Sequence, residues 1–136
     1  AIHMAKLNSK KFNLLNRAKF KGCDMNKFNL GKYDLIVSNP PYIPLKELKN
    51  LSRDITGYEP LKALNGGLDG CDLIRKVINR SSDLLKKNGV LAIEIGYNQY
   101  RKVSTLLRRD GFREISIEYD FNKNVRCIIS TKVGFF

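Results

Sequence analysis

At 136 residues the chain suits one domain and no more, with a core able to bury roughly two-thirds of the surface its unfolded form exposes. No apolar run approaches the ~18 residues of a membrane-spanning helix and no basic-then-apolar leader opens the sequence, so no membrane partner is expected and the cytoplasm is the expected compartment. The net charge of +12 fits either a solvated surface or an RNA, ribosome-like or acidic protein partner, and its lysines and arginines are scattered in doublets such as Lys10-Lys11, Lys86-Lys87 and Arg108-Arg109.

The first element is a loose helix over residues 1–16, carrying Ile2, Ala5, Leu7, Phe12 and Leu15 but no capping residue. His3 falls in this frayed opening, where no role is expected of it. Ala18 to Gly22 alternates apolar and basic residues as a short strand would, and Asp24 and Met25 follow at its carboxyl end. Read from the residues alone, Asp24 suits a loop aspartate that caps a turn. Cys23, Cys71 and Cys127 are too few and too far apart for a zinc site, and an odd count is a poor disulfide framework, so reduced thiols are expected.

Tyr33 to Ser38 is a short strand with β-branched Ile36 and Val37, stopped by Asn39-Pro40-Pro41-Tyr42 because proline cannot donate a ladder hydrogen bond. In an open α/β sheet ligands sit beyond the carboxyl ends of the strands, which puts this stiff loop where chemistry is done. Asn39 precedes a proline and is pushed into extended backbone, so the loop is organised before any ligand arrives. It offers the Asn39 side-chain oxygen, the Asn39 and Pro40 carbonyls and the Tyr42 ring, a row of acceptors beside a flat apolar wall. Such a row suits a planar NH2 group.

Residues 43–70 form a connection too long to be idle, with Tyr58-Glu59-Pro60 inside it. Glu59 fits either a site mouth or a surface ion pair. Cys71 to Lys87 predicts the clearest helix, with Leu73, Ile74, Val77, Ile78, Leu84 and Leu85 on one face, Asp69 or Asp72 at its positive end, Lys86-Lys87 at the other, and Asn88-Gly89 as its stop. Val90 to Ile95 reads as a buried parallel strand interrupted by Glu94. A lone carboxyl there needs a partner: the loop, a substrate amide, an arginine or a backbone N–H would each serve. A helix over 98–110 with Val103, Leu106 and Leu107 inward, then strands over 112–119 and 125–130 joined by polar turn residues, complete the pattern.

Asn39-Pro-Pro-Tyr42 after an apolar strand resembles the amino-methyltransferase motif of class I S-adenosylmethionine-dependent enzymes. With Ile43-Pro44, Tyr58-Glu59-Pro60, Ala63-Leu64, Gly67-Leu-Asp-Gly70 and Glu94-Ile95-Gly96 in that order, the chain closely resembles HemK-type release-factor glutamine methyltransferases over nearly its whole length. The resemblance implies an α/β, Rossmann-like sheet with a C-terminal antiparallel hairpin, S-adenosyl-L-methionine as cofactor, and the glutamine of a Gly-Gly-Gln loop in a peptide-chain release factor as substrate. It gives Asn39, Pro40 and Tyr42 the catalytic work, Asn39, Pro40, Pro41, Tyr42 and Glu94 the acceptor, and Asp24, Met25 and Asn39 the cofactor.

No Gly-x-Gly turn of the kind that approaches such a cofactor precedes Asn39. The expectation is a partial catalytic domain over 1–136 without the first two strands of its sheet, which would leave a gap between the 18–22 strand and strand 33–38 and expose the edge of the latter. These residues by themselves are expected to be inactive; for the parent protein, a nucleic-acid amino-methyltransferase acting on adenine or guanine, with direct nucleic-acid binding not expected from the scattered charge, and an inactive truncated piece are the alternatives.

Overall fold

The computed structural model describes residues 1–50 and 60–133. Strands β1 (Tyr33–Ser38), β2 (Leu85–Glu94), β3 (Phe112–Tyr119) and β4 (Val125–Lys132) form one mixed sheet in the order β1-β2-β4-β3. β1 and β2 are parallel, while β4 runs antiparallel to both β2 and β3. The helices are α1 (Ile2–Lys11), two short ones, α2 (Leu45–Leu48) and α3 (Leu61–Leu64), then α4 (Asp72–Leu84) and α5 (Tyr100–Arg109). This is the expected α/β sheet with its C-terminal hairpin.

The core explains the order. Parallel strands need a long crossover, and α4 supplies it between β1 and β2. Its inner face buries Ile74, Val77, Ile78 and Leu84 against the sheet, each contributing about 1.5–3 kcal/mol. Leu91 and Ile93 on β2 and Ile95 just beyond it alternate inward and are fully buried, and Val103, Leu106 and Leu107 of α5 close the core with Phe112 and Ile128. Among the described residues no helix is long and apolar enough to cross a membrane.

Three expectations are corrected. Residues 18–22 form no strand: a strand needs a ladder partner, and this stretch instead runs beside α1, with Ala18 donating to the Leu14 carbonyl and Gly22 lying against Ile2. There is consequently no gap within the sheet, which ends at β1. The edge is open as expected, with Leu35 and Val37 exposed.

The predicted helix over 71–87 stops at Leu84. Leu85 turns extended and pairs with Tyr33, so Lys86 and Lys87 belong to β2, and Lys86 reaches Asp34 on β1 at 2.7 Å. The carboxyl end of α4 is served from elsewhere: Lys132 donates to the carbonyls of Ser82 and Leu85 and Lys32 to that of Asp83. The left-handed residue is Asn88, at φ 63°, and it lies inside an irregularity where the register jumps from Tyr33↔Leu85 to Leu35↔Val90.

Candidate functional site

β1 delivers Asn39 at its carboxyl end, exposed, and then buries Pro40 while Pro41 and Tyr42 stay partly covered. Among the described residues no backbone N–H donates to the Pro40 carbonyl, so that acceptor remains open. Asn39, Pro40, Pro41, Tyr42 and Ile43 line a cavity of about 360 Å³ with Ala63 and Leu64 of α3 opposite.

The loop is held from behind by backbone pairing. Ile43 donates to Leu64, Gly66 donates to Ile43 and Leu45 donates to Gly67, so the segment after Tyr42 runs as a parallel bridge along residues 64–67. Gly66 is required there: a Cβ would stand 2.6 Å from the Gly70 carbonyl oxygen and 2.8 Å from the Tyr42 carbonyl carbon. Part of the long connection is thus the loop's support. Tyr58 and Glu59 lie outside the described residues.

Three groups fix Tyr42. Its hydroxyl donates to Glu94 Oε1 at 3.3 Å, the Arg126 guanidinium lies 5.4 Å from its ring centroid, and its carbonyl accepts from Gln99 Nε2 at 2.9 Å. Burial, the largest effect, raises the Tyr42 pKa; Arg126 works against it and Glu94 with it. The phenol therefore keeps its proton and donates. Glu94 finds its partner in the loop, one of the possibilities its place in the strand left open.

Arg126 and Gln99 were not evident from the sequence. Arg126 is anchored by donating to the Ile95 carbonyl at 3.1 Å and by Asp120 at 3.6 Å, at the turn between β3 and β4. The available signal for Gln99 was a polar residue just before a helix, between the buried end of a strand and the apolar face of that helix. It is 5% exposed.

Asp24 and Met25 stand apart from that cavity, on the other side of the prolines. The Asp24 carboxyl caps a short 3-10 turn, Met25–Lys27, by accepting from the Asn26 N–H at 2.8 Å, which is the turn-capping alternative. The two residues also line a mostly apolar cavity of about 380 Å³ together with Ser38, Pro40, Pro41 and Val77. Pro40 and Pro41 form the wall shared with the Asn39–Tyr42 cavity. Asp24 Oδ2 is not used by the turn, which leaves a carboxylate acceptor at the rim of this cavity. A larger apolar hollow of about 460 Å³ runs along the open edge of β1, lined by Met25, Phe28, Leu35 and Val37.

A family model described as Eco57I restriction-modification methylase matches residues 3–129. The release factor glutamine methyltransferase of Clostridium acetobutylicum is 36% identical over 137 residues, covering 98% of this chain and 48% of its own length. That of Fusobacterium nucleatum is 44% identical over 101 residues, 74% of this chain and 28% of its own. Among solved structures, a methyltransferase from Pyrococcus furiosus superposes with a TM-score of 0.62 at 17% identity, over 98% of this chain and 58% of that one. TrmN from Thermus thermophilus gives 0.55 at 16% identity, over 96% and 33%. These two share the fold. The chain spans about half the length, or less, of the curated relatives it matches. With the matched residues taking in the whole loop and its support, the chain belongs to the Eco57I restriction-modification methylase family and is, across nearly all its length, a relative of the release factor glutamine methyltransferases.

Proposed function

We propose that the chain is the acceptor-holding part of an S-adenosylmethionine-dependent protein-glutamine N-methyltransferase whose substrate is the glutamine of the Gly-Gly-Gln loop of a peptide-chain release factor. The observation that carries this reading is the open acceptor row at Asn39 and Pro40, set at the end of β1 beside a Tyr42 ring held by Glu94.

An amide nitrogen is a poor nucleophile because its lone pair is delocalised into the carbonyl. Asn39 Oδ1 and the Pro40 carbonyl accept its two N–H groups, which orients the nitrogen and turns its lone pair toward the incoming methyl. Tyr42, unable to tilt while Glu94 and Arg126 hold it, bounds the amide on one side. Such positioning supplies up to ~7–11 kcal/mol of a barrier when the reacting atoms are held in near-attack geometry. S-adenosylmethionine, when bound, supplies the methyl group from its sulfonium, whose sulfur keeps the electron pair of the broken bond. Asp24 and Met25 would hold its adenine end, in the cavity on the far side of Pro40 and Pro41. The methylated nitrogen sheds its extra proton to water, so no strong base is demanded of the chain.

The test is transfer of labelled methyl from S-adenosylmethionine to a release factor, against the same factor with its Gly-Gly-Gln glutamine replaced. Run on the whole enzyme of which the chain is proposed to be part, label on the wild-type factor alone supports the reading; label on both, or on neither, removes it. The family's description and the eight lysines or arginines against one aspartate in residues 1–32 favour a second reading, an amino group on nucleic acid. DNA and RNA in the same assay separate the two.

A further inference from the structure

The Gln99 side chain occupies a point where three separate stretches of the chain meet. Its Nε2 donates to the Tyr42 carbonyl at 2.9 Å and to the Gly70 carbonyl at 3.2 Å, and its Oε1 accepts from the Gly96 N–H at 2.9 Å. All three partners demand the same orientation of the amide: reversed, it would set an oxygen against two carbonyls and an NH2 against an N–H. The group is buried, so each partner would be left unsatisfied without it.

The neighbouring glycines make room for it. A Cβ on Gly70, which has φ +76°, would stand 2.5 Å from Gln99 Nε2 and 2.4 Å from the Tyr42 carbonyl oxygen; one on Gly96 would stand 3.0 Å from Gln99 Oε1. Gly67-Leu-Asp-Gly70 and Glu94-Ile-Gly96, two of the motifs that mark the sequence, meet at one side chain.

We propose that Gln99 is a positioning residue for the Asn39–Tyr42 loop. By fixing the direction of the Tyr42 carbonyl it fixes the peptide that leaves the loop, and with it the acceptor row that precedes Tyr42. Glu94 and Arg126 hold the ring of Tyr42; Gln99 holds its backbone, and does so from the segment that starts α5. The effect on transfer rests on the proposed glutamine chemistry, whereas the effect on the loop does not.

The experiment is therefore run in two arms on the full chain, with Gln99→Leu, which has nearly the same shape and no polar atoms, and Gln99→Glu, which keeps the acceptor for Gly96 but turns an oxygen toward the two carbonyls. In the first arm, hydrogen exchange is followed at the Ile43 and Gly66 amides, with the β3–β4 ladder as the control for an intact fold. Loss of the clamp is expected to speed Ile43 and Gly66 by about tenfold or more while the ladder stays protected. Wild-type exchange at both amides, in whichever variant keeps the ladder, overturns the proposal. In the second arm, with each variant placed in the whole enzyme of which the chain is proposed to be part, kcat for transfer to the release factor is expected to fall about 10- to 100-fold, with the KM for S-adenosylmethionine moving less than about twofold. A change in that KM alone, with kcat kept, also overturns it. Should the whole wild-type enzyme transfer no methyl at all, the proposed function fails and the exchange arm still decides the role of Gln99.

Discussion

The hydroxyl of Tyr42 donates to Glu94 across 3.3 Å, joining the last residue of the proline loop to the last residue of a strand 52 positions further along the chain. Tyr42→Phe removes this bond and leaves the ring beneath Arg126. Denaturant unfolding is expected to show a loss of about 0.5–1.5 kcal/mol, the ordinary net worth of one hydrogen bond. Tyr42→Ala removes the wall as well, and methyl transfer should fall further than in Tyr42→Phe; equal rates in the two variants would take the ring out of the site. Because burial raises the Tyr42 pKa, the bond's contribution is whole below the ordinary tyrosine value near 10 and is lost as pH rises through the raised value. Unfolding free energy should therefore decline on the alkaline side, and less steeply in Tyr42→Phe.

Asn39→Ala separates chemistry from folding. Asn39 is exposed at a strand end, so its truncation should move stability by no more than about 0.5 kcal/mol. Transfer should drop by about a hundredfold or more, since a donor left without its acceptor loses both orientation and electronic help. A variant that keeps full transfer, measured under single-turnover conditions, would exclude Asn39 from the reaction.

Asp69 is the acidic anchor of the supporting loop. It pairs with Arg75 and Lys102 and accepts from the Cys71 N–H, and these bonds, Arg75 first and then Lys102, hold its carboxyl well below the usual carboxylate range. For a depressed acid the stabilisation is whole above the unfolded value near 4 and is lost as pH falls through the folded one. Asp69→Asn should cost about 1 kcal/mol at neutral pH, a figure kept small by the third of the side chain that remains exposed. It should also flatten the loss of stability below about pH 4, and an unchanged acid limb in thermal melts would contradict the pairing.

The three thiols should react in sequence. Cys23 is exposed, while Cys71 is fully buried and burial raises its pKa, as it does that of the partly buried Cys127. A maleimide or disulfide reagent is expected to modify Cys23 first and to leave Cys71 untouched until the protein unfolds. Early labelling of Cys71, read by mass spectrometry, would mean that the amino-terminal end of α4 opens.

The loop and the sheet were legible because each rests on local chemistry. Two prolines stop a strand wherever they stand, and the periods of 74–84 and 103–107 need only their own side chains to reveal a face. The end of α4 was not legible, because the groups that satisfy its carbonyls, Lys32 and Lys132, lie far away in sequence, while the local cues at Lys86 to Gly89 pointed to a longer helix. Residues 18–22 carry a strand's alternation without a strand's neighbour. Gln99 and Arg126 escaped notice for a related reason: their importance lies in which carbonyl or ring they meet, and neither meets Tyr42 through any spacing that a sequence displays.

Seven cations around α4 and the hairpin are engaged within the molecule. Lys32, Arg75, Arg80, Lys86, Lys102, Arg126 and Lys132 each have a carboxylate or carbonyl of this chain as partner. None of the ion pairs among the described residues involves a position before Asp34. The basic residues before Lys32, without an ion pair among the described residues and set against a single aspartate, are therefore among those free to meet an anionic partner. The salt dependence of any such association should answer to neutralising Lys10, Lys11, Arg17, Lys19 or Lys21, and stay indifferent to acetylation of Lys132, whose cost would appear instead as an unravelling of the last turn of α4.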